Sequence, residues 1–481
     1  MKKIKTAIIL LLAALLLAGS AFAETSETVS REEFKTPFPV TGTLSEDEKK
    51  LDAVLTRMKQ EADKLYPSTV PYALIDWDES LVHEGLRRFC RELPKGADLH
   101  THDDKVIPMD RYIRILKEYG KACIVLEDGP DYGNLYVKDP PENAVSLNEA
   151  FSEGKLSEEK FREIFSIPDA DVPNGRWERF NRLFTMVRGQ EKDPELLQML
   201  YEEAFRSCCE NKVFLLETRV ILTGDEESVA ERLRLIRDAY YHVKDEYPDF
   251  VVRVIGNSRK KESVTKETAV GILRIVMHLS GEIRDEYDPA HPKDFIIGLD
   301  LVNEEDKSKP LREYADFFTS DEVKESGLKL FLHAGESLRY DNEEVIDAYL
   351  YGASRIGHGF NLFRFPKVME KCREEGIAIE IAPISNYRLG YVSDFRLHPG
   401  QIYLRYGIPI VICSDDGLFL EREPLTDDFY AVILSWNLGV AEIKELCRNA
   451  IVYAGLSQEE TDVLLAKWEK DWNEFVMNFR E

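Results

Sequence analysis

The residues of this chain that could do chemistry are histidines and carboxylates that directly follow short apolar runs. They are His100 and His102, His333 and Glu336, His358, and Asp415 and Asp416. Three imidazoles and one carboxylate suit a divalent ion such as zinc, with room for a water molecule. Such an ion lowers the pKa of its water from ~16 toward ~7, so that hydroxide is available at neutral pH.

The predicted ligand set is His100, His102, His333 and Asp415. Glu336 lies near these ligands and past a flexible glycine, which indicates a general acid or base beside the ion. His358 can hydrogen-bond to the water or deprotonate it. Asp416 and its neighbour point to different sides of an extended chain, so one can bind the ion while the other faces a substrate. This is the pattern of a hydrolysis at an sp² carbon, with an acid that protonates a ring or leaving nitrogen.

A lone histidine at the end of a strand usually has a structural role, but the joint occurrence of these groups favours a metal site. The five other histidines fall on predicted helices or loops and are expected at the surface. They are His83, His242, His278, His291 and His398.

The elements that must position these groups are apolar strands separated by amphipathic helices. Strands are predicted before His102 and over residues 213–220, 251–255, 295–301, 328–332, 354–357, 377–381 and 408–413. Buried strands that alternate with helices are typical of a parallel α/β sheet, and eight of them close a (β/α)8 TIM barrel with its active site at the strand ends. A doubly wound sheet is the alternative, but the chain has neither a GxGxxG turn nor a P-loop.

The predicted domain organisation is an arm and helical extension over residues 24–92, followed by the barrel over 93–481. The barrel contains an irregular insertion at about 122–168. Helices are predicted over residues 45–66, 80–92, 109–120, 176–187, 193–210, 225–246, 263–283, 311–326 and 458–479.

Residues 1–23 have the pattern of a secretory signal peptide, with three early lysines, an apolar run and the cleavage site Ala21-Phe22-Ala23. An amino-terminal membrane anchor is the alternative, but the apolar run is short for a span. We therefore expect an exported protein, periplasmic or secreted, that is free of the membrane after cleavage.

Composition excludes other classes of protein. The formal net charge of −26 argues against binding to nucleic acid. A hydrophobic content of 44% indicates a globular chain. The seven cysteines form no CxxC pair, which excludes a thiolate zinc site, and they are too few for a disulfide framework. Their pairing is left open.

Seven motifs occur in order from about residue 44 to near the carboxyl terminus. They are PKGADLHTHD, WERFNRLF, GLDLVNEED, FLHAGES, RIGHGF, IAPISNYRLGYVSDFRLHPG and VICSDDGLF. With these motifs the chain resembles the adenosine deaminase family, and more closely its secreted branch, the adenosine deaminase-related growth factors. The resemblance implies one zinc ion per chain on the predicted ligand set. It also implies conversion of adenosine or 2′-deoxyadenosine to inosine or 2′-deoxyinosine plus ammonia, by attack of metal hydroxide at purine C6.

The resemblance also implies a role for each site residue. Glu336 would donate a proton to purine N1, His358 would position the hydroxide, and Asp416 would hydrogen-bond to N7. Either Asp103 or Asp104 would contact the ribose, and the motifs do not decide between them. A further expected member of the ribose side of the pocket is Trp177, for which ordinary helix packing is the alternative.

Departures from the family pattern keep other functions open. Asn303 replaces a glycine that often approaches the purine, which favours another 6-aminopurine or a modified nucleoside as an alternative substrate. Gly417 replaces the proline of SDDP, and residues 257–261 lack a histidine found in animal secreted members. A non-catalytic nucleoside-binding or signalling protein is a further alternative, whereas a cytidine-deaminase site would need a PCxxC pair, which is absent. The extension over 45–92 resembles a dimerisation segment, so a homodimer is expected unless these helices pack on their own barrel.

Overall fold

The computed structural model describes residues 39–40, 42–66, 82–167, 176–420 and 423–480. The chain divides into two units, Met1–Pro39 and Val40–Glu481, and the fold described here is that of the second unit. The predicted signal peptide over residues 1–23 lies outside the described residues. Within the described parts of the chain, every helix is too short or too polar to cross a bilayer.

A parallel eight-stranded sheet forms the centre of the fold and confirms the predicted TIM barrel. We number its strands in chain order: β1 Gly96–His102, β2 Val213–Ile221, β3 Val251–Arg259, β4 Ile296–Val302, β5 Lys329–Ala334, β6 Arg355–His358, β7 Ala378–Ile381 and β8 Ile410–Ile412. Each strand pairs with the next one along the chain. The sheet is nearly closed by a parallel bridge between Thr101 and Asp415, where the Asp415 amide donates to the carbonyl of His100 at 2.9 Å.

The strands are buried on both faces, as apolar runs in a parallel barrel must be. Inside the barrel, Ile255, Ile297 and Phe331 from three neighbouring strands form one apolar cluster. Gly298 is required beside it, since a Cβ atom there would lie 2.5 Å from the Phe331 ring. The interior is therefore filled with side chains below the site, and the chemistry is confined to the carboxyl ends of the strands.

Helices surround the sheet. In chain order they are Glu46–Asp63, Glu84–Glu92, Met109–Tyr119, Leu147–Ser152, Glu158–Phe165, Arg176–Val187, Pro194–Glu210, Glu226–Glu246, Lys266–Glu282, Ala315–Phe318, Asp321–Ser326, Glu344–Leu350, Pro366–Glu375, Pro383–Arg388, Gly400–Tyr406, Gly417–Leu420, Thr426–Ser435, Val440–Val452 and Gln458–Asn478. The predicted single helix over 311–326 is wrong. A 3-10 turn and two short helices occupy that stretch, because Ser320 caps the second helix by accepting from the Val323 amide.

The segment predicted as an irregular insertion contains regular structure. A three-stranded antiparallel sheet is formed by Cys123–Val125 between Leu135–Tyr136 and Ala144–Ser146, and two helices follow it. Strands of two or three residues are too short to show a period in the sequence, which is why the pattern did not predict them.

The amino-terminal helix Glu46–Asp63 begins at a capping box, in which Ser45 and Glu48 accept each other's backbone amide. Its buried face packs on this chain. Glu48 accepts from Trp472 Nε1 at 2.8 Å and pairs with Lys444 at 2.7 Å, and Lys59 donates to the Leu438 carbonyl. Homodimerisation through this helix stays a prediction.

Candidate active site

The predicted metal ligands lie together at the carboxyl ends of the strands. Ligand atoms of His100, His102 and His333 lie within 4.8 Å of one another. Asp415 Oδ1 lies 3.4 Å from His102 Nε2 and 4.0 Å from His100 Nε2. All four side chains are buried. Residues more than 300 positions apart in the chain therefore meet where β1, β5 and the end of β8 converge.

The state of these groups fits a metal ion. His100 Nε2 is buried without a hydrogen-bond partner among the described residues. Burial, with nearby Arg219 and His333, holds the pKa of His100 well below its usual value, and burial has the same effect on the pKa of His102. Neutral imidazoles with a free nitrogen are the form that binds a metal, and with one carboxylate they suit zinc.

Two carboxylates behind the histidines orient the rings. His100 Nδ1 donates to Glu380 at 2.7 Å, and His333 Nδ1 donates to Asp300 at 2.6 Å. Arg219 bridges these two acids, with distances of 2.9 Å to Asp300 and 2.6 Å to Glu380. Since each Nδ1 is engaged, each Nε2 lone pair is left for the ion.

Glu336 is a buried carboxyl beside this cluster. Burial, together with nearby Asp415 and Glu305, raises its pKa well above the usual value and so favours the protonated form of the carboxyl. Its loop is held in place by Glu305, which accepts from the Gly335 amide at 3.1 Å and from the Glu336 amide at 3.0 Å. A buried carboxyl held in this way can serve as a positioned proton donor.

His358 lies opposite Glu336, with 3.7 Å between its Nε2 and the Glu336 Oε1. Its backbone is left-handed at a φ of 60°, which is rare for a residue with a side chain and clusters at functional sites. Burial lowers its pKa to about 3, so the ring is neutral. Asn386 Nδ2 donates to His358 Nδ1 at 3.3 Å, which leaves the proton on Nε2, facing the cluster.

Asn386 is itself oriented by His398. The Gly400 amide donates to His398 Nδ1 at 3.0 Å, and His398 Nε2 donates to Asn386 Oδ1 at 3.0 Å. His398 is fully buried, so the prediction that it lies at the surface is wrong. His398 lies between Leu397 and Pro399, outside any strand-like or helical period, so the local pattern does not reveal that neighbouring elements cover it.

A cavity of about 590 Å³ opens onto these groups. Its lining includes eight of the predicted site residues: His102, Trp177, Asn303, His333, Glu336, His358, Asp415 and Asp416. Burial and nearby Asp415 raise the pKa of Asp416 well above the usual value. Asp416 Oδ1 has no hydrogen-bond partner among the described residues, so a protonated carboxyl is free to meet a ligand.

Trp177 and Asn303 line the cavity in fixed orientations. Trp177 Nε1 donates to the Tyr391 hydroxyl at 2.8 Å, and that hydroxyl donates to the Glu336 carbonyl at 2.8 Å. Asn303 Nδ2 donates to Ser308 at 2.9 Å. Tyr391 thus links the Trp177 helix to the loop of Glu336, and no local sequence signal indicates this contact.

The two candidate ribose ligands are engaged with protein groups. Asp103 accepts from the Tyr201 hydroxyl at 2.8 Å and from Arg232 at 3.1 Å. Asp104 is fully buried and accepts from Gln190 Nε2 at 3.0 Å. Neither is part of the cavity lining. A ribose contact from either residue stays a prediction.

Comparison with known proteins found similar sequences. The family model described as adenosine deaminase matches residues 154–470. Adenosine deaminase 2-A of Danio rerio is 29% identical over 468 residues, which cover 89% of this chain and 89% of that protein. Adenosine deaminase 2 of Homo sapiens is 24% identical over 417 residues, which cover 80% and 79%.

Solved structures share the fold. An amidohydrolase from Burkholderia ambifaria with bound Zn superposes with a TM-score of 0.59 at 15% identity, over 85% of this chain and 98% of that one. Arabidopsis ADAL complexed with IMP superposes with a TM-score of 0.57 at 16% identity, over 81% of this chain and 99% of that one. At these identities the likeness concerns the barrel alone.

Proposed function

Because this chain belongs to the adenosine deaminase family and is a hydrolytic deaminase of purines, we propose that it is a zinc enzyme acting on adenosine or 2′-deoxyadenosine. Its similarity to adenosine deaminase 2 proteins supports the growth-factor branch of that family. The products would be inosine or 2′-deoxyinosine and ammonia. One observation carries the proposal: a buried set of three imidazoles and a carboxylate lies at the mouth of a barrel, beside a buried glutamic acid whose raised pKa favours the protonated form.

The residues that would hold the zinc are His100, His102, His333 and Asp415. A divalent ion bound there would supply an acidified water at neutral pH. The orienting hydrogen bonds from Glu380 and Asp300 support this assignment, since histidine ligands usually have such partners.

The chain's own groups supply the proton transfers. Glu336, protonated before substrate binds, would give its proton to purine N1, which makes C6 electrophilic. The Nε2 proton of neutral His358 would orient the attacking water oxygen toward C6. Asp416 would donate to N7, an acceptor, which requires the protonated carboxyl that its raised pKa favours. The C6–N bond then breaks, and the leaving nitrogen departs as ammonia after accepting a proton.

The test is ammonia release from purified, zinc-loaded protein incubated with adenosine and 2′-deoxyadenosine, with metal analysis of the same sample. Free adenine and N6-substituted adenosines belong in the panel, because Asn303 lines the cavity and favours the alternative of another 6-aminopurine. If zinc-loaded protein bound adenosine but released no ammonia from any member of the panel, the enzymatic proposal would be wrong.

Three further proposals concern the whole chain: export with cleavage after Ala23, a division between the extension over 24–92 and the barrel over 93–481, and a homodimer. Mass spectrometry of the mature protein from culture fractions tests the first. Limited proteolysis tests the second, and sedimentation equilibrium tests the third.

A further inference from the structure

Among the residues that the structure describes, three cationic side chains on the wall of the active-site cavity have no anionic partner. Arg188, Arg259 and Lys261 line the cavity, and none of their side chains forms an ion pair or hydrogen bond within the described part of the chain. Two other arginines of the same lining are engaged: Arg179 donates to the Ser166 carbonyl and Arg182 to the Pro130 carbonyl. Unpaired cations are unexpected in a chain with a formal net charge of −26.

These cations lie toward the opening of the cavity, above the deaminase site. Arg188 and Lys261 are exposed and Arg259 is half-buried, whereas the predicted ligands and proton donor are buried. Arg259 is the last residue of β3, and β3 is two strands from β5, which carries His333. Two strand spacings amount to roughly 10 Å. A ligand that placed its base at the histidines would therefore extend its other end toward the cations.

The alternation of β3 directs Arg259 toward the interior of the barrel. Ile255 lies in the interior apolar cluster, and residues two and four positions later share its face. Those residues are Asn257 and Arg259. Both amide atoms of Asn257 are buried without a hydrogen-bond partner among the described residues. The inner face of this strand end thus carries a free amide below a free guanidinium.

The charge environment of Arg259 favours an anion. Burial and nearby Arg188 lower its pKa, and a guanidinium stays charged even so. The charges of Glu191 and Asp103 raise the pKa of Arg259. However, Glu191 is exposed, and Asp103 already accepts hydrogen bonds from Tyr201 and Arg232. Two adjacent guanidiniums repel each other until an anion lies between them, and a phosphate with several oxygens matches that geometry.

We propose that Arg188, Arg259 and Lys261 form a binding subsite for the 5′-phosphate of a purine nucleoside monophosphate whose base occupies the deaminase site. This inference rests on the proposed function, since the subsite is defined relative to a bound 6-aminopurine. The reaction at C6 is unchanged, and the phosphate neither forms nor breaks a bond.

The experiment compares kcat/KM for AMP with kcat/KM for adenosine in the zinc-loaded enzyme. The ratio should exceed one in the wild type. It should fall by about tenfold or more in Arg259→Gln, which loses a charge-assisted contact, and to a smaller extent in exposed Lys261→Gln. The matched control is Lys324→Gln, an exposed lysine on the helix Asp321–Ser326, which should leave the ratio as it is.

Raising the ionic strength should lower the ratio in the wild type and have less effect in Arg259→Gln, because exposed charges are screened by salt. A wild-type ratio below one, or a ratio that neither Arg259→Gln nor Lys261→Gln changes, would overturn the subsite. Turnover of adenosine without turnover of AMP would overturn the subsite and leave the proposed function standing. Failure of both substrates, together with every other member of the 6-aminopurine panel, would overturn the proposed function itself.

Discussion

Replacing Glu305 with glutamine should remove most of the turnover while leaving the metal content intact. Glu305 is buried and touches no predicted ligand, but its two carboxylate oxygens accept from the backbone amides of Gly335 and Glu336 at 3.1 and 3.0 Å. Its second oxygen also accepts from Asn342 at 2.7 Å. A glutamine has one acceptor oxygen, so in either orientation its NH2 group faces at least one backbone amide.

The structure sets the size of the effect. One charge-assisted hydrogen bond is lost and one buried amide is left without a partner, which costs roughly 1.5–3 kcal/mol. If most of this free-energy cost arises from misplacement of Glu336 in the transition state, kcat/KM should fall about 10- to 100-fold, at tenfold per 1.4 kcal/mol. The charge of Glu305 also helps to raise the pKa of Glu336. Activity requires protonated Glu336 and is lost as pH rises through its pKa. Removing the Glu305 charge lowers that pKa, so the basic limb of the pH–activity profile should move to lower pH in the variant.

The assay is ammonia release across a pH series, with zinc content measured on each sample. Glu313→Gln is the matched control, since Glu313 is an exposed glutamate eight residues further on and should behave as the wild type does. An unchanged kcat/KM with an unchanged basic limb would refute the reasoning that Glu305 positions the proton donor.

Other perturbations concern the ion, the proton donor, the buried histidine behind His358 and the amino-terminal helix. Asp415→Ala should lose bound zinc by metal analysis; zinc at the wild-type level would remove Asp415 from the ligand set. Glu336→Gln should keep its zinc and lose about 100-fold or more of kcat, and full activity would rule out the donor role. His398→Leu should lower kcat about tenfold by releasing Asn386, with zinc content as the control. Burial alone would raise the pKa of Glu48, but its hydrogen bonds lower that pKa to about 2. The ionised carboxylate therefore contributes roughly 2–3 kcal/mol to the free energy of unfolding. This contribution is complete above pH 4.5 and is lost as pH falls toward 2. Urea unfolding of Glu48→Gln should therefore show that loss at pH 7 and a smaller one near pH 3, whereas equal stabilities at pH 7 would contradict it.

The barrel and the gathering of the histidines and Asp415 at its mouth could be predicted from sequence because their signals are local. Each predicted ligand directly follows an apolar run, and a parallel barrel brings all such positions to one edge. The groups that orient the ligands depend on pairing between distant strands. In the sequence, Asp300 and Glu380 are single acidic residues within apolar stretches. No local pattern predicts that Arg219 bridges them. The burial of His398 likewise depends on neighbours that the local pattern does not reveal.

The bond between Asp415 and His100 that joins the two ends of the sheet has a consequence for biogenesis. Three of the four expected cation-binding side chains flank this seam, two from the first strand and one just beyond the last. A nascent polypeptide whose final strand is still inside the ribosome holds at most the three imidazoles. Loading with the proposed ion would thus be a late event, coupled to docking of the last strand, and a truncated product lacking that strand would be unable to retain it.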